Sequence, residues 1–224
     1  MYDSRMGSFS DVIVGHSTGI KEGEIVYIEA FNIPDEMVEV LVEKVYQAGG
    51  YPLVSQKSPR VLRKIYLGTS EAAMKVIGDI EMEKMKRAQV YIGMRGSSNV
   101  TENSDVPAEK MAIYTKYWWG PVHINQRIPG TRWVVMRWPT PSMAQLAEMS
   151  TEQFEDFYFK TCTLNYDKMS EAMGPLADLM KRTDRVRLVA PDTDLVEALR
   201  IRGVDVVAAV SSGMGGRHDD DQLR

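Results

Sequence analysis

Three histidines and one cysteine are the scarcest reactive side chains in this 224-residue chain, so they bound its chemistry first. His16 stands beside Ser17-Thr18-Gly19, His123 lies in Pro121-Val122-His123-Ile124, and His218 sits near the C-terminus. No two share the i, i+4 spacing of a helical zinc pair, and none adjoins a compact carboxylate set. Each therefore reads as a structural or solvated histidine. Cys162 would be a nucleophile only with a histidine beside it. Among large apolar residues on an amphipathic helix it reads as a buried free thiol.

The carboxylates cluster in two places. Glu152, Glu155 and Asp156 crowd the first turns of one helix. Paired carboxylates can do acid–base work or hold a metal, but the positive end of the helix dipole accounts for these. Asp192 and Asp194 follow a strand at its C-terminal end, where open α/β sheets bind ligands, yet the pair alone defines no metal site. Gly213-Met214-Gly215-Gly216 follows an apolar run as a phosphate-binding turn would. Asp219-Asp220-Asp221, rather than a helix, comes next, and its charge would repel phosphate. These residues yield no catalytic, cofactor-binding or metal-ligating assignment.

The elements that would position such groups alternate strand and helix. Glu24–Ala30 is a β-branched apolar run, read as a strand buried on both faces. Pro34, Asp35 and Glu36 open a helix whose stripe is Val38, Leu41, Val42 and Val45, and Gly49-Gly50 stops it. Tyr51–Ser55 is the next strand, which completes a right-handed βαβ unit. A helix over Glu71–Arg87 leads to the strand Val90–Met94. Another helix runs from Pro107 to Tyr117-Trp118-Trp119 and is expected to end at Gly120-Pro121. Trp133–Met136 and Arg185–Ala190 read as further strands, and Val204–Val210 as a sixth. Between the fourth and fifth lie two helices. The first opens on Ser150 with Gln153 as a capping box and carries Phe154, Phe157 and Tyr158 on one face. The second, after Asn165, has the stripe Met169, Met173, Leu176, Ala177 and Met180. The pattern predicts an α/β fold: a doubly wound, mostly parallel sheet of at least five strands with helices on both faces. Its core is expected to hold Val26, Ile28, Leu53, Ile92, Val134 and Leu188. The glycine- and charge-rich residues after Gly213 are expected to be disordered.

Composition excludes several classes. The net charge of -4 gives no basic footprint for nucleic acid, and the short runs Arg60–Lys64 and Lys84–Arg87 read as solvated helix faces. One cysteine allows no intrachain disulfide, which suits a cytoplasmic, reducing compartment. Neither an apolar leader nor a membrane-length run is present.

Longer stretches carry a family likeness. Thr131–Ala147, with its Arg132-Trp133-Val134-Val135-Met136-Arg137-Trp138-Pro139-Thr140-Pro141, continues through Met149–Phe159 to Leu164-Asn165-Tyr166-Asp167-Lys168-Met169. Gly49-Gly50-Tyr51-Pro52 and Ser104-Asp105-Val106-Pro107 match earlier. Across about Gly15–Leu195 the chain resembles the thermophilic metalloaminopeptidase family of the aminopeptidase T and S type, in its N-terminal domain only. The resemblance implies exopeptidases that remove N-terminal residues from peptides with two divalent ions, cobalt, zinc or magnesium. It also implies ligands in a C-terminal domain, the first in a Pro-Asp-Gly-Glu stretch. From Val196 the pattern departs, so none of those ligands carries over to this sequence. Residues 1–195 are expected to be the family's N-terminal α/β domain and 196–224 a divergent segment and tail. A truncation, a frameshift or a gene fragment would each explain that departure. Three readings stay open: a portion of a metalloaminopeptidase that is inactive alone, a non-catalytic interaction or dimerisation module, and an unrelated nucleotide-binding domain. The expected partners are peptides in the complete enzyme and further copies of the chain, with no nucleic acid and no membrane.

Overall fold

Parallel strand pairing in the N-terminal part follows from the βαβ pattern. The computed structural model describes residues 3–183, with the backbone of 185–190 and 193–198. The order is α1 (Ser4–Asp11), a π-helical segment (Val12–Ser17), β1 (Ile25–Phe31), α2 (Asp35–Gln47), β2 (Tyr51–Lys57), α3 (Pro59–Gly68), α4 (Glu71–Arg87), β3 (Val90–Arg95) and α5 (Ala108–Tyr114). A long π-helical segment (Thr115–Arg127) follows, then the single turn α6 (Ile128–Gly130), β4 (Arg132–Arg137), α7 (Pro141–Leu146), α8 (Thr151–Cys162), α9 (Tyr166–Lys181), β5 (Arg185–Ala190) and β6 (Thr193–Ala198). Two compact units divide the chain, Met1–Thr163 and Leu164–Arg224.

In the first unit four parallel strands lie in the order β2-β1-β3-β4. From β1 the chain adds β2 on one side and then β3 and β4 on the other, so the order of strand addition reverses at β1, as in a doubly wound fold. Residues of β1 and β3 alternate between two different interiors. Val26, Ile28, Val90, Ile92 and Met94 face an apolar cluster built with Phe9 of α1, Met37, Leu41 and Val45 of α2, and Tyr158 and Phe159 of α8. Tyr27 and Tyr91 face the other cluster, with Leu62 and Tyr66 of α3, Met74 and Met85 of α4, and Trp118 and Val122 of the long π segment. Of the expected core, Val26, Ile28 and Ile92 are fully buried, while Leu53 and Val134 pack partly buried on the outer strands. Pro52 is tolerated because β2 is an edge strand.

Helix ends follow local chemistry. Pro34 precedes α2, whose first turn carries Asp35 and Glu36. Gly49 takes φ +80 and donates to Tyr46 O at 2.9 Å, and Gly50 donates to Val45 O at 2.9 Å, a Schellman closure. Ser150 accepts from the Gln153 N–H at 3.3 Å to start α8. On α8, Phe154, Tyr158 and Phe159 are buried and Phe157 is exposed, because the spacing turns Phe159 rather than Phe157 inward.

Two expectations are corrected. First, the helix from Pro107 does not end at Gly120-Pro121. It widens to π geometry and runs to Arg127, burying Trp118, Val122, His123 and Arg127. Pro121 has no N–H to donate, so the segment forgoes one ladder hydrogen bond there and continues regardless. Second, β5 does not extend the parallel sheet. It pairs antiparallel with β6 in a two-stranded sheet of the second unit. Residues 185–190 and 193–198 are too close in sequence for the crossover that a parallel pair needs, and they pair antiparallel. In that unit Asn165 caps α9 by accepting from the Lys168 N–H at 3.0 Å, and α9 carries no buried residue. The burial of Leu188, the expected strand at Val204–Val210 and the tail after Gly213 lie outside the described residues.

The long π segment rests on α4 through a glycine. A Cβ on Gly78 would lie 2.0 Å from the Tyr117 carbonyl oxygen. Gly78→Ala is expected to lower stability by at least the ~1–3 kcal/mol of an overpacked core, read from the urea midpoint. Gly68→Ala, with nothing within 4 Å of its Cβ position, should shift the midpoint by less than about 1 kcal/mol. Equal midpoints for the two variants would refute this contact.

Candidate functional site

The face of the sheet toward α4 and the π segment carries buried charge. Glu29 sits centrally on β1, 1% exposed. Alternation puts it on one face with Tyr27 and Phe31, and its register neighbour on β3 is Gly93. A Cβ on Gly93 would lie 2.9 Å from the Tyr91 ring, so glycine there leaves room for that ring to lie along β3. The Tyr91 hydroxyl then donates to Glu29 Oε2 at 2.5 Å. Lys57, the last residue of β2, reaches Glu29 Oε1 at 2.5 Å and Glu81 Oε2 of α4 at 3.0 Å. Glu81 also accepts from Tyr27 at 2.8 Å and from Lys84 at 3.0 Å. The Lys57 ammonium lies 4.5 Å from the Trp118 ring centroid.

Burial alone would raise the Glu29 carboxyl. The Lys57 ammonium and the hydrogen bonds from Lys57 and Tyr91 outweigh it and hold the group below the usual range. Glu81 behaves in the same way, its burial offset by Lys57, Lys84 and Tyr27. Burial pushes the Tyr27 and Tyr91 phenols far up, so both stay protonated donors. His123 lies with Nε2 3.9 Å from Glu29 Oε2, and burial drives its pKa down from 6.5 to about 4 despite that carboxylate. It is a neutral, structural histidine at neutral pH.

The other candidates do not join this cluster. His16 is exposed at the end of the first π segment. Cys162 is partly buried against the apolar cluster, and burial raises its thiol pKa. Arg5 engages Asp156 at 2.6 Å and Glu155 at 3.7 Å, while Glu152 lies in the first turn of α8. Asp194 is in β6, opposite Val189. Asp192, His218 and Gly213–Gly216 lie outside the described residues. At the switch point, where doubly wound sheets bind ligands, the two loops meet. Gly96 donates to Phe31 O at 2.8 Å, and a Cβ on it would stand 2.6 Å from Asn32 O.

Residue typing did not single out Glu29, Lys57 or Glu81. The one available signal was a carboxylate at the centre of an otherwise apolar strand, which requires a buried partner. Among the described residues no group of three or more histidine, cysteine or acidic side chains converges as a metal site requires. The Glu29–Glu81 pair does not suit a divalent ion, because the Lys57 ammonium occupies the space between the carboxylates and neutralises them.

Stability should fall on acidification, with a first step due to His123. The unfolded chain protonates this residue near 6.5 and the fold only near 4, so between those values the unfolded state binds more protons. Glu29 and Glu81, held below 4.5, extend the loss to lower pH. His123→Gln is expected to remove a slope on the order of 2 kcal/mol over the upper part of that range and leave the lower limb. Urea midpoints that follow the wild-type pH curve would show that His123 is not held neutral.

The model of the thermophilic metalloprotease (M29) family matches residues 2–196. No curated protein matches the chain. Among solved structures, wild-type AmpT from Thermus thermophilus is similar, with a TM-score of 0.66 and 15% identity over 89% of this chain. At that identity the likeness bears on the fold. This chain spans about half of that relative, 54% of its length.

Proposed function

Because the chain belongs to the thermophilic metalloprotease (M29) family, we propose that residues 1–195 form the non-catalytic N-terminal portion of an aminopeptidase. Such an enzyme removes N-terminal residues from peptides with two divalent ions, cobalt, zinc or magnesium. The ions would activate water and polarise the scissile carbonyl. In this reading the metal ligands come from residues other than those described, and this chain alone is inactive. The observation that supports it is the Lys57 ammonium between Glu29 and Glu81: the buried carboxylates are committed to an internal cation. A single cysteine suits work in a reducing cytoplasm. Among the described residues no helix is long and apolar enough to cross a membrane.

The test pairs calorimetric titration with cobalt and zinc against an aminoacyl-amide hydrolysis assay on the purified 224-residue chain. The expected result is no stoichiometric tight metal binding and no chelator-sensitive turnover. Two ions bound per chain, or turnover abolished by chelator, would overturn the reading.

A dimerisation role has its own support. Among the described residues β4 is an edge of the sheet, and Trp133 on it is 43% exposed, with Ile128 just before it 44% exposed. An unpaired edge flanked by apolar side chains favours pairing with another chain. Light scattering should show mass above that of one chain, increasing with concentration. A monomer maintained at high concentration would count against this role.

A further inference from the structure

Two arginines near the Glu29 cluster have no carboxylate partner among the described residues. Arg127, at the end of the long π segment, is 8% exposed, and its guanidinium lies 4.3 Å from the Trp133 ring centroid and 5.3 Å from that of Tyr91. The aromatic faces stabilise its charge but accept none of its in-plane N–H groups. Its Nε and Nη1 are buried without a hydrogen-bond partner, and so is Nε of Arg95, at the end of β3. Each buried donor left unmade costs about 1–3 kcal/mol. Nearby Glu29 accepts from Lys57 and Tyr91, and neither arginine is hydrogen-bonded to it. The charge balance has the same sign: Lys57, Lys84, Arg95 and Arg127 stand against Glu29 and Glu81, two positive charges in excess.

We propose that Arg127 and Arg95 form an oxyanion site that takes a carboxylate or phosphate group, with water, against their unpartnered N–H groups. Guanidinium suits this role because its planar donors match such oxygens. His123 Nδ1, also buried and unpartnered, suits the water: with the proton on Nε2 toward Glu29, it accepts from a water hydrogen. Solvent lies close by: Arg95 is partly exposed, and Trp133, on which Arg127 stacks, is 43% exposed on β4. This site is independent of the family reading and goes beyond it.

The test is a thermal-unfolding titration of the full chain at constant ionic strength, with chloride as the reference salt. The probes are inorganic phosphate, acetate, and dialanine with its carboxylate free or amidated. The expected result is a saturable rise of about 2–4 °C at millimolar concentration with at least one oxyanion, absent in Arg127→Gln. Phosphate acting alone would identify a phosphate source, and acetate or free dialanine acting would identify a carboxylate; either supports the site. Arg95→Gln, at the more exposed position, provides the same control where Arg127→Gln does not fold. Curves equal to chloride with every probe, or equally shifted in both variants, would show that water alone satisfies these donors and would overturn the proposal.

Discussion

The ammonium group of Lys57 is the interaction on which the α4-side face of the sheet depends. It contacts one carboxylate from the central strand and one from the covering helix, so it ties β2, β1 and α4 together at one atom. A buried ion pair adds little net stability over an apolar replacement, but with the charges present its loss leaves them uncompensated at a cost of about 3–5 kcal/mol. Its main effect is therefore on specificity. A slip of β1 by one residue would carry Glu29 into the apolar cluster of Val26 and Ile28 and leave Lys57 without its partner. The hydroxyls of Tyr27 and Tyr91 depend on the same carboxylates, so the aromatic core on this face takes its orientation from the charges beneath it.

The two faces thus solve burial differently. On the α1–α2–α8 side, apolar side chains and edge-on aromatic contacts such as Phe9 with Phe159, at 5.9 Å between centroids, suffice. On the other side, polar atoms are buried and must be positioned, which calls for closer backbone approach. Gly93 makes room for the Tyr91 ring, and Gly78 lets the π segment's carbonyl reach α4. The wider π turn is part of the same arrangement, since it places Trp118, His123 and Arg127 over the charged cluster in one segment.

Those differences explain what was legible in the sequence. β1, β2, β3, β4 and α2 stand out because their patterns are local: β-branched runs, an apolar stripe, and a double glycine that closes a helix. The doubly wound fold follows from their order. The π segment does not, because Gly120-Pro121 carries the signature of a helix end, while continuation is favoured by long-range packing: the contact of Tyr117 with Gly78 and the burial of Trp118, Val122, His123 and Arg127. The pairing of β5 with β6 depends on a short connection that strand propensity does not encode. The charged site is the least legible part. Glu29, Lys57 and Glu81 are separated by 28 and 24 residues and meet only through strand order and helix placement. Glu29 reads as one polar residue in a strand, and Lys57 and Glu81 as ordinary surface charges.

Charge sign connects the fold to the family's chemistry. A metal centre concentrates acidic and imidazole ligands with few cations among them, because each neighbouring positive charge lowers affinity for the ion. The buried cluster here has the opposite character: cations outnumber carboxylates, the carboxylates are neutralised, and the one histidine is neutral and unpartnered at Nδ1. Deprotonating a carboxylate does not create a metal site in such surroundings, since Glu29 and Glu81 are already ionised and still bound to Lys57. The same surroundings favour oxyanions, whose charge the surplus guanidinium groups can accept without displacing any existing bond. This part of the molecule is therefore electrostatically complementary to anions and not to metal ions.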